Sequence, residues 1–200
     1  MKKWLKYVVF SMAAIILCFL YAHVDKAHYI YDGESDSSEY IAVNINKDAS
    51  ISQVFECTEK SFDGIAVKVL VNSISDSGKL VYDLQDLNGE TLIEGKIALS
   101  DIDNGRINKI KFDKTVEGTE SGFYIIYFKT EDMSEGESVG LYYDNQSNFT
   151  DDLNVNGEKI NGTLILRTIT YRFDIETFIV TLGFIVYFVL FFRILYRLFA

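Results

Sequence analysis

The sequence predicts an all-β chain: a two-sheet antiparallel β-sandwich flanked by two transmembrane helices. Three observations carry this. From residue 50 to residue 172 apolar residues recur with period two, interrupted by Gly and Asn-Gly turn signals. Both ends hold apolar runs free of Asp, Glu, Lys and Arg, at residues 7–24 and 177–192. The charge is segregated: Lys2, Lys3, Lys6, Arg193 and Arg197 sit at the ends, while the other 14 basic and all 29 acidic residues lie between Asp25 and Glu176.

The first end reads "MKKWLKYVVFSMAAIILCFLYAHVDK". Eighteen uncharged residues in a helix span about 27 Å, close to the ~30 Å hydrocarbon core of a bilayer. A basic start also suits a secretory signal. However, the run exceeds a typical signal core, Leu20 and Tyr21 crowd the one small residue Ala22, and Leu17 stands before Cys18 where a lipoprotein signal needs a small residue. Residues 1–24 are therefore expected to be a basic cytoplasmic end and an uncleaved anchor.

Residues 25–49, with "DGESDSSE" at their centre, read as an acidic stalk leading to a first strand near 40–45. Residues 50–172 form the sandwich proper. "GIAVKVLV" places Ile65, Val67, Val69 and Val71 on one face and Lys68 on the other. "KLVYDLQDLNGETLIEG" turns Leu80, Tyr82 and Leu84 inward and Asp83 and Gln85 outward, with Asn88-Gly89 predicting a type I′ hairpin turn. "INKIKF" sets Lys109 and Lys111 outward, and "GFYIIYF", apolar on both faces, predicts a central strand. "SVGLYYD" points Val139, Leu141 and Tyr143 inward, and "VNGEKINGTLILRTITYRF" supplies a last turn and a long closing strand. About eight strands result, with no helix beyond a turn at "LSDI".

Residues 173–200 hold the second span, "IETFIVTLGFIVYFVLFF", apolar on every face and followed by Arg193 and Arg197. Basic residues flank both spans on their outer ends, which predicts both termini in the cytoplasm and the acidic middle outside a cell membrane. That middle carries a net −15, which repels nucleic-acid phosphates and excludes a nucleic-acid partner. Proline is absent, so turns fall to Gly, Asn and Asp. Cys18 and Cys57 lie in unlike surroundings, an apolar run and the acidic middle, so no structural disulfide is expected. Cys57 reads as a small buried hydrophobe.

Four stretches, "ISQVFECTEKSFDGIAVKV", "GKLVYDLQDLNGETLIEGKIALSDI", "ESGFYIIYFKTEDMSEGESVGLYYD" and "LNVNGEKINGTLILRTITY", together resemble a carbohydrate-binding-like jelly-roll module. That module occurs in bacterial membrane proteins of cell-envelope polysaccharide assembly, as the external part of polytopic glycosyltransferases. The resemblance covers residues 50–171. It implies a jelly-roll fold, a place outside the membrane, and a partner that is envelope polysaccharide or a membrane glycosyltransferase. The membrane-helix array and cytoplasmic catalytic segments of those enzymes have no counterpart in these residues, so the expected role is non-catalytic. No ligand residues carry over.

The residues themselves offer one glycan-binding candidate. Tyr142 alternates away from Val139 and Leu141, has small Ser138 and Gly140 beside it, and has Asp144 on the same face to accept hydroxyl hydrogen bonds. The plainer reading is a tyrosine filling space beside a neighbouring strand. Acidic pairs such as Asp101 with Asp103 read as solvated turns, and "DIDNGR" lacks the spacing of a calcium loop. No cofactor is expected; structural calcium would draw on Asp32, Glu34, Asp151 and Asp152. His23 and His28 flank the first membrane boundary. Two alternatives stand beside glycan recognition: a structural or partner-binding membrane subunit with no sugar ligand, and a remnant of a polytopic glycosyltransferase.

Overall fold

The chain runs α1 (Lys2–Tyr21), β1 (His23–Tyr29), β2 (Ile41–Ile45), β3 (Ser50–Glu56), β4 (Ser61–Val71), β5 (Lys79–Asp86), β6 (Thr91–Ala98), β7 (Ile107–Glu117), β8 (Phe123–Glu131), β9 (Val139–Asp144), β10 (Leu153–Val155), β11 (Glu158–Ile160), β12 (Thr163–Leu164), β13 (Leu166–Phe173) and α2 (Ile175–Phe199). These elements come from a computed structural model, which describes residues 2–46, 49–72, 77–119, 122–134, 136–146 and 153–199. The strands form two antiparallel sheets, so the chain is a β-sandwich with a terminal helix on either side in sequence.

The six-stranded sheet has the order β11-β10-β3-β8-β5-β6. The seven-stranded sheet is organised by β4. One of its edges pairs with β7; the other is shared, by β13 along Gly64–Val67 and by β9 along Val69–Val71. β12 and β13 are one extended run that changes partner at Ile165. There the Lys68 amide donates to the Ile165 carbonyl (3.1 Å), and the Ile165 amide to the Tyr142 carbonyl (2.8 Å). β1 then pairs with β13, and β2 with β9.

Period-two patterning puts the expected residues inside. Ile65, Val67, Val69 and Val71 are buried, as are Leu80, Tyr82 and Leu84 from the opposite sheet, joined by Phe55, Tyr124 and Phe128. Each such side chain contributes about 1.5–3 kcal/mol on burial. β8 lies between β3 and β5, the central place that "GFYIIYF" predicted. Its outer face differs from expectation: Ile125 and Tyr127 are only half-buried.

Three further expectations are corrected. Thirteen strands, not eight, appear among the described residues, because long runs break at bulges and crossovers. The segment read as a stalk supplies β1 as well as an acidic connection before the strand expected near 40–45, which is β2, and the compact sandwich unit is Ala27–Thr170. β1 is an outermost strand, and an outer strand can stay polar along its sequence, which hid it. The Asn88-Gly89 turn is not type I′, since only Gly89 has positive φ (83°). The Asp86 carboxylate accepts from the amides of Asn88 (2.9 Å) and Glu90 (2.8 Å) and sets a longer turn instead.

The two-residue turn with positive φ at both positions is Asn156 (54°) and Gly157 (83°), joining β10 to β11. Gly157→Ala places a Cβ in open space but in a left-handed backbone conformation. It should lower stability by about 1 kcal/mol, read as a reduced denaturation midpoint at unchanged slope.

The second compact unit comprises residues 1–26 and 171–200. Its helices are apolar enough to span a membrane, over Trp4–Tyr21 and Ile175–Phe199. α2 has no buried residue, which fits a segment solvated by lipid rather than by protein. Asp174 caps it: one carboxylate oxygen accepts from the Glu176 amide (3.2 Å), the other from the Thr177 hydroxyl (2.7 Å) and from Lys26 (3.2 Å). The Asp174 amide in turn donates to the Ala22 carbonyl (2.9 Å), tying the end of the first helical segment to the start of the second. Phe19, His23 and Phe173 cluster at that junction, with ring centroids 4.6–5.4 Å apart.

Candidate functional site

β9 alternates as the sequence requires. Val139 and Leu141 are buried in the core, and Tyr142 and Asp144 point to the outer face of the seven-stranded sheet. That face is not bare. The connection between β1 and β2 returns across it, bringing Tyr31, Ser35 and Tyr40. The Ser35 hydroxyl donates to one Asp144 oxygen (2.5 Å), and the Gln146 amide to the other (2.9 Å), leaving the residue 3% exposed. Asp144 is therefore a buried anchor for the connection rather than an open acceptor for a ligand. Tyr142 is half-buried under the Lys68 ammonium, 4.7 Å from the ring centroid. The pair proposed from sequence stays on one face, but it lacks the exposure a stacking site needs.

A broader arrangement replaces it. Lys68 also lies 5.2 Å from the Tyr40 ring, and Tyr40 meets Tyr31 edge-to-face at 6.0 Å. Tyr31 in turn meets Tyr29 at 5.4 Å. Arg167, from β13, lies 4.2 Å from the Tyr29 ring centroid and donates to the Tyr31 hydroxyl through Nη2 (2.6 Å) and Nε (3.1 Å). The result is a band, Tyr29-Tyr31-Tyr40-Tyr142, with two cations set against its rings. Burial, then the nearby Tyr31 and Asp144, push the Tyr40 phenol above its ordinary range. At neutral pH it is a neutral hydrogen-bonding group. Tyr29, 52% exposed, is the most accessible ring of the band. Its arginine backing fixes its orientation, so stacking on it costs little side-chain entropy.

Beside Tyr29 opens a cleft of about 300 Å³, lined by His28 at the end of β1, the following Ile30, the segment Glu56–Glu59 at the end of β3, and Thr168. His28 Nε2 lies 3.1 Å from Glu59 Oε1, ion-pair distance without hydrogen-bond alignment. His28 thus belongs to the sandwich, where the sequence placed it only at a membrane boundary. Cys57 is buried as expected; burial pushes its thiol up, so it remains protonated at neutral pH. Both cysteines are free. A second cleft of about 480 Å³ adjoins Ala49, Ser50 and Lys129–Met133 on the other sheet. Its carboxylates are already engaged, Asp132 by Lys79 (2.9 Å) and Glu131 by Lys96 (2.5 Å).

No group of three His, Cys, Asp or Glu side chains suited to a metal occurs among the described residues. Of the four oxygen donors considered for calcium, Asp32 accepts from the Glu34 amide (2.9 Å), a local turn contact, and Asp151 and Asp152 lie outside the described residues. Sequence reading missed Tyr29, Tyr31 and Arg167. The signal was there in "HYIY", two tyrosines two apart and hence on one face of an extended segment.

The fold and its ends define a class: a two-sheet β-sandwich between two helices apolar enough to cross a membrane. No family model matches the chain, and no curated protein matches it. Among solved structures it is similar to the VP2 subviral particle of infectious bursal disease virus, at 10% identity and a TM-score of 0.26, covering 73% of this chain and 39% of that one. A structure of the Gt strain of the same virus gives 9% identity and a TM-score of 0.27, covering 74% and 42%. The chain spans about two-fifths of the length of each. Likenesses at this level carry nothing about ligand or partner.

Proposed function

We propose that this chain is a membrane-tethered, extracytoplasmic β-sandwich that recognises glycan without acting on it and supports cell-envelope polysaccharide assembly. The carrying observation is the Tyr29 ring, half-exposed, oriented by Arg167, and continued by Tyr31, Tyr40 and Tyr142. Sugars present apolar C–H faces to such rings and hydroxyls to the groups around them. With no tryptophan on that face, single-site affinity should sit near the millimolar end, about −4 kcal/mol, offset on a polymer by many tethered copies.

The test is calorimetric or NMR titration of the purified protein in detergent with envelope polysaccharide fragments. Tyr29→Ala should weaken binding about tenfold, and Tyr142→Ala, whose ring Lys68 covers, much less. Equal binding by wild type and Tyr29→Ala overturns this site. A second reading, a partner-binding membrane subunit with no sugar ligand, is favoured by α2, apolar on all faces and without a buried residue. It takes precedence if a folded protein binds no fragment at all.

A further inference from the structure

We propose that Asn161-Gly162 is a site of self-modification, where the asparagine side chain deamidates through ring closure by the following backbone amide. The Gly162 nitrogen forms a bond to Asn161 Cγ. The Cγ–Nδ2 bond breaks, and ammonia leaves with the proton of the Gly162 amide. Water then opens the succinimide ring at either of its carbonyls. One product is aspartate; the other is isoaspartate, whose backbone is longer by one carbon. Water is the only co-reactant, and nothing is oxidised or reduced.

The chain has three Asn-Gly pairs, at Asn88, Asn156 and Asn161, and in each the glycine leaves the attacking nitrogen unshielded by a side chain. The fold separates them. At the first pair, Asn88 Nδ2 donates to Asp86 (2.9 Å), and the Gly89 amide donates to the Asp86 carbonyl (3.1 Å). At the second, Asn156 Oδ1 accepts from the Ser50 amide (2.9 Å), and the Asn156 amide donates to the Ser50 carbonyl (2.9 Å). Asn161 is exposed, and among the described residues neither its side chain nor the Gly162 amide makes a hydrogen bond. Only this third pair leaves both reacting groups untied. Glycine is also required there: φ is 137°, and an added Cβ would lie 2.5 Å from the Asp144 carbonyl oxygen. The chain that follows is fixed. Thr163 and Leu164 are fully buried and pair with Asp144 and Tyr143, and the Leu164 amide donates to Gln53 Oε1 (3.2 Å). An isoaspartate inserts its extra carbon immediately before that register and loosens β12 from β9.

The experiment incubates the full chain in detergent at mildly alkaline pH, with a parallel sample in denaturant. Peptide mass spectrometry follows mass gain and isoaspartate at the three pairs. In the native protein Asn161 is expected to react about tenfold faster than Asn88 or Asn156, which must first break one or two hydrogen bonds. In denaturant the three rates should converge. Equal native rates, a lead for Asn88 or Asn156, or an unreactive Asn161 in the native protein overturns the assignment. A lead for Asn161 that persists in denaturant also overturns it, since flanking sequence rather than the fold would then set the rate. Asn161→Gln, whose longer side chain closes a ring far more slowly, should abolish modification at 161 and leave the other two rates unchanged. On ageing, the wild type should melt lower in proportion to its isoaspartate content, and Asn161→Gln should not. An equal lowering in both overturns the effect on β12.

Discussion

Val69→Asp should unfold the sandwich. Val69 is fully buried in β4, paired with Leu141 of β9 at the point where the shared edge passes from β13 to β9. An aspartate there has no cation within the hydrophobic core to pair with, and burying an unpaired carboxylate costs several kcal/mol. That is a large part of the 5–15 kcal/mol by which a domain is ordinarily stable. Val69→Ala, which only opens a small cavity, should cost about 1–3 kcal/mol and retain the fold. The measurement is protease resistance and near-ultraviolet circular dichroism of the two variants in detergent. Wild-type resistance in Val69→Asp would remove β4 from the centre of the core.

The second large effect concerns topology, and it is all-or-none. Basic residues at both outer ends of the spans predict cytoplasmic termini and an external sandwich. With Cys18 and Cys57 replaced by Ala, a cysteine introduced at exposed Ser37 should react fully with a membrane-impermeant maleimide on intact cells. One introduced at Lys3 should react only after the membrane is opened. Labelling in the reverse order would put the tyrosine band in the cytoplasm and end the envelope-glycan proposal.

Much of the architecture was legible in the linear sequence because it depends on local periodicity. Side chains in a strand alternate between faces, so Ile65, Val67, Val69 and Val71 had to share one face and, being apolar, had to bury it. A helix such as Ile175–Phe199, uncharged over 177–192, can satisfy its backbone internally, so its suitability for a membrane was equally local. Asn-Gly pairs marked turns, but their type depended on neighbours. Asp86 captured two amides and bent the Asn88-Gly89 turn away from type I′, while Asn156 and Gly157 both take positive φ.

Tertiary structure alone decided the site. Alternation placed Tyr142 and Asp144 outside the core, but it could not say what else would lie on that outer face. The return path of the chain between β1 and β2 decided it, by laying Ser35 on Asp144 and Tyr40 beside Lys68. The pairing of β1 with β13 set Tyr29 next to Arg167, 138 positions later, and brought His28 to the cleft it shares with Glu59. Exposure of an outward residue is a long-range property, fixed by which distant segment covers it. Burial of an inward apolar residue is close to a short-range one, since any closed sandwich provides it.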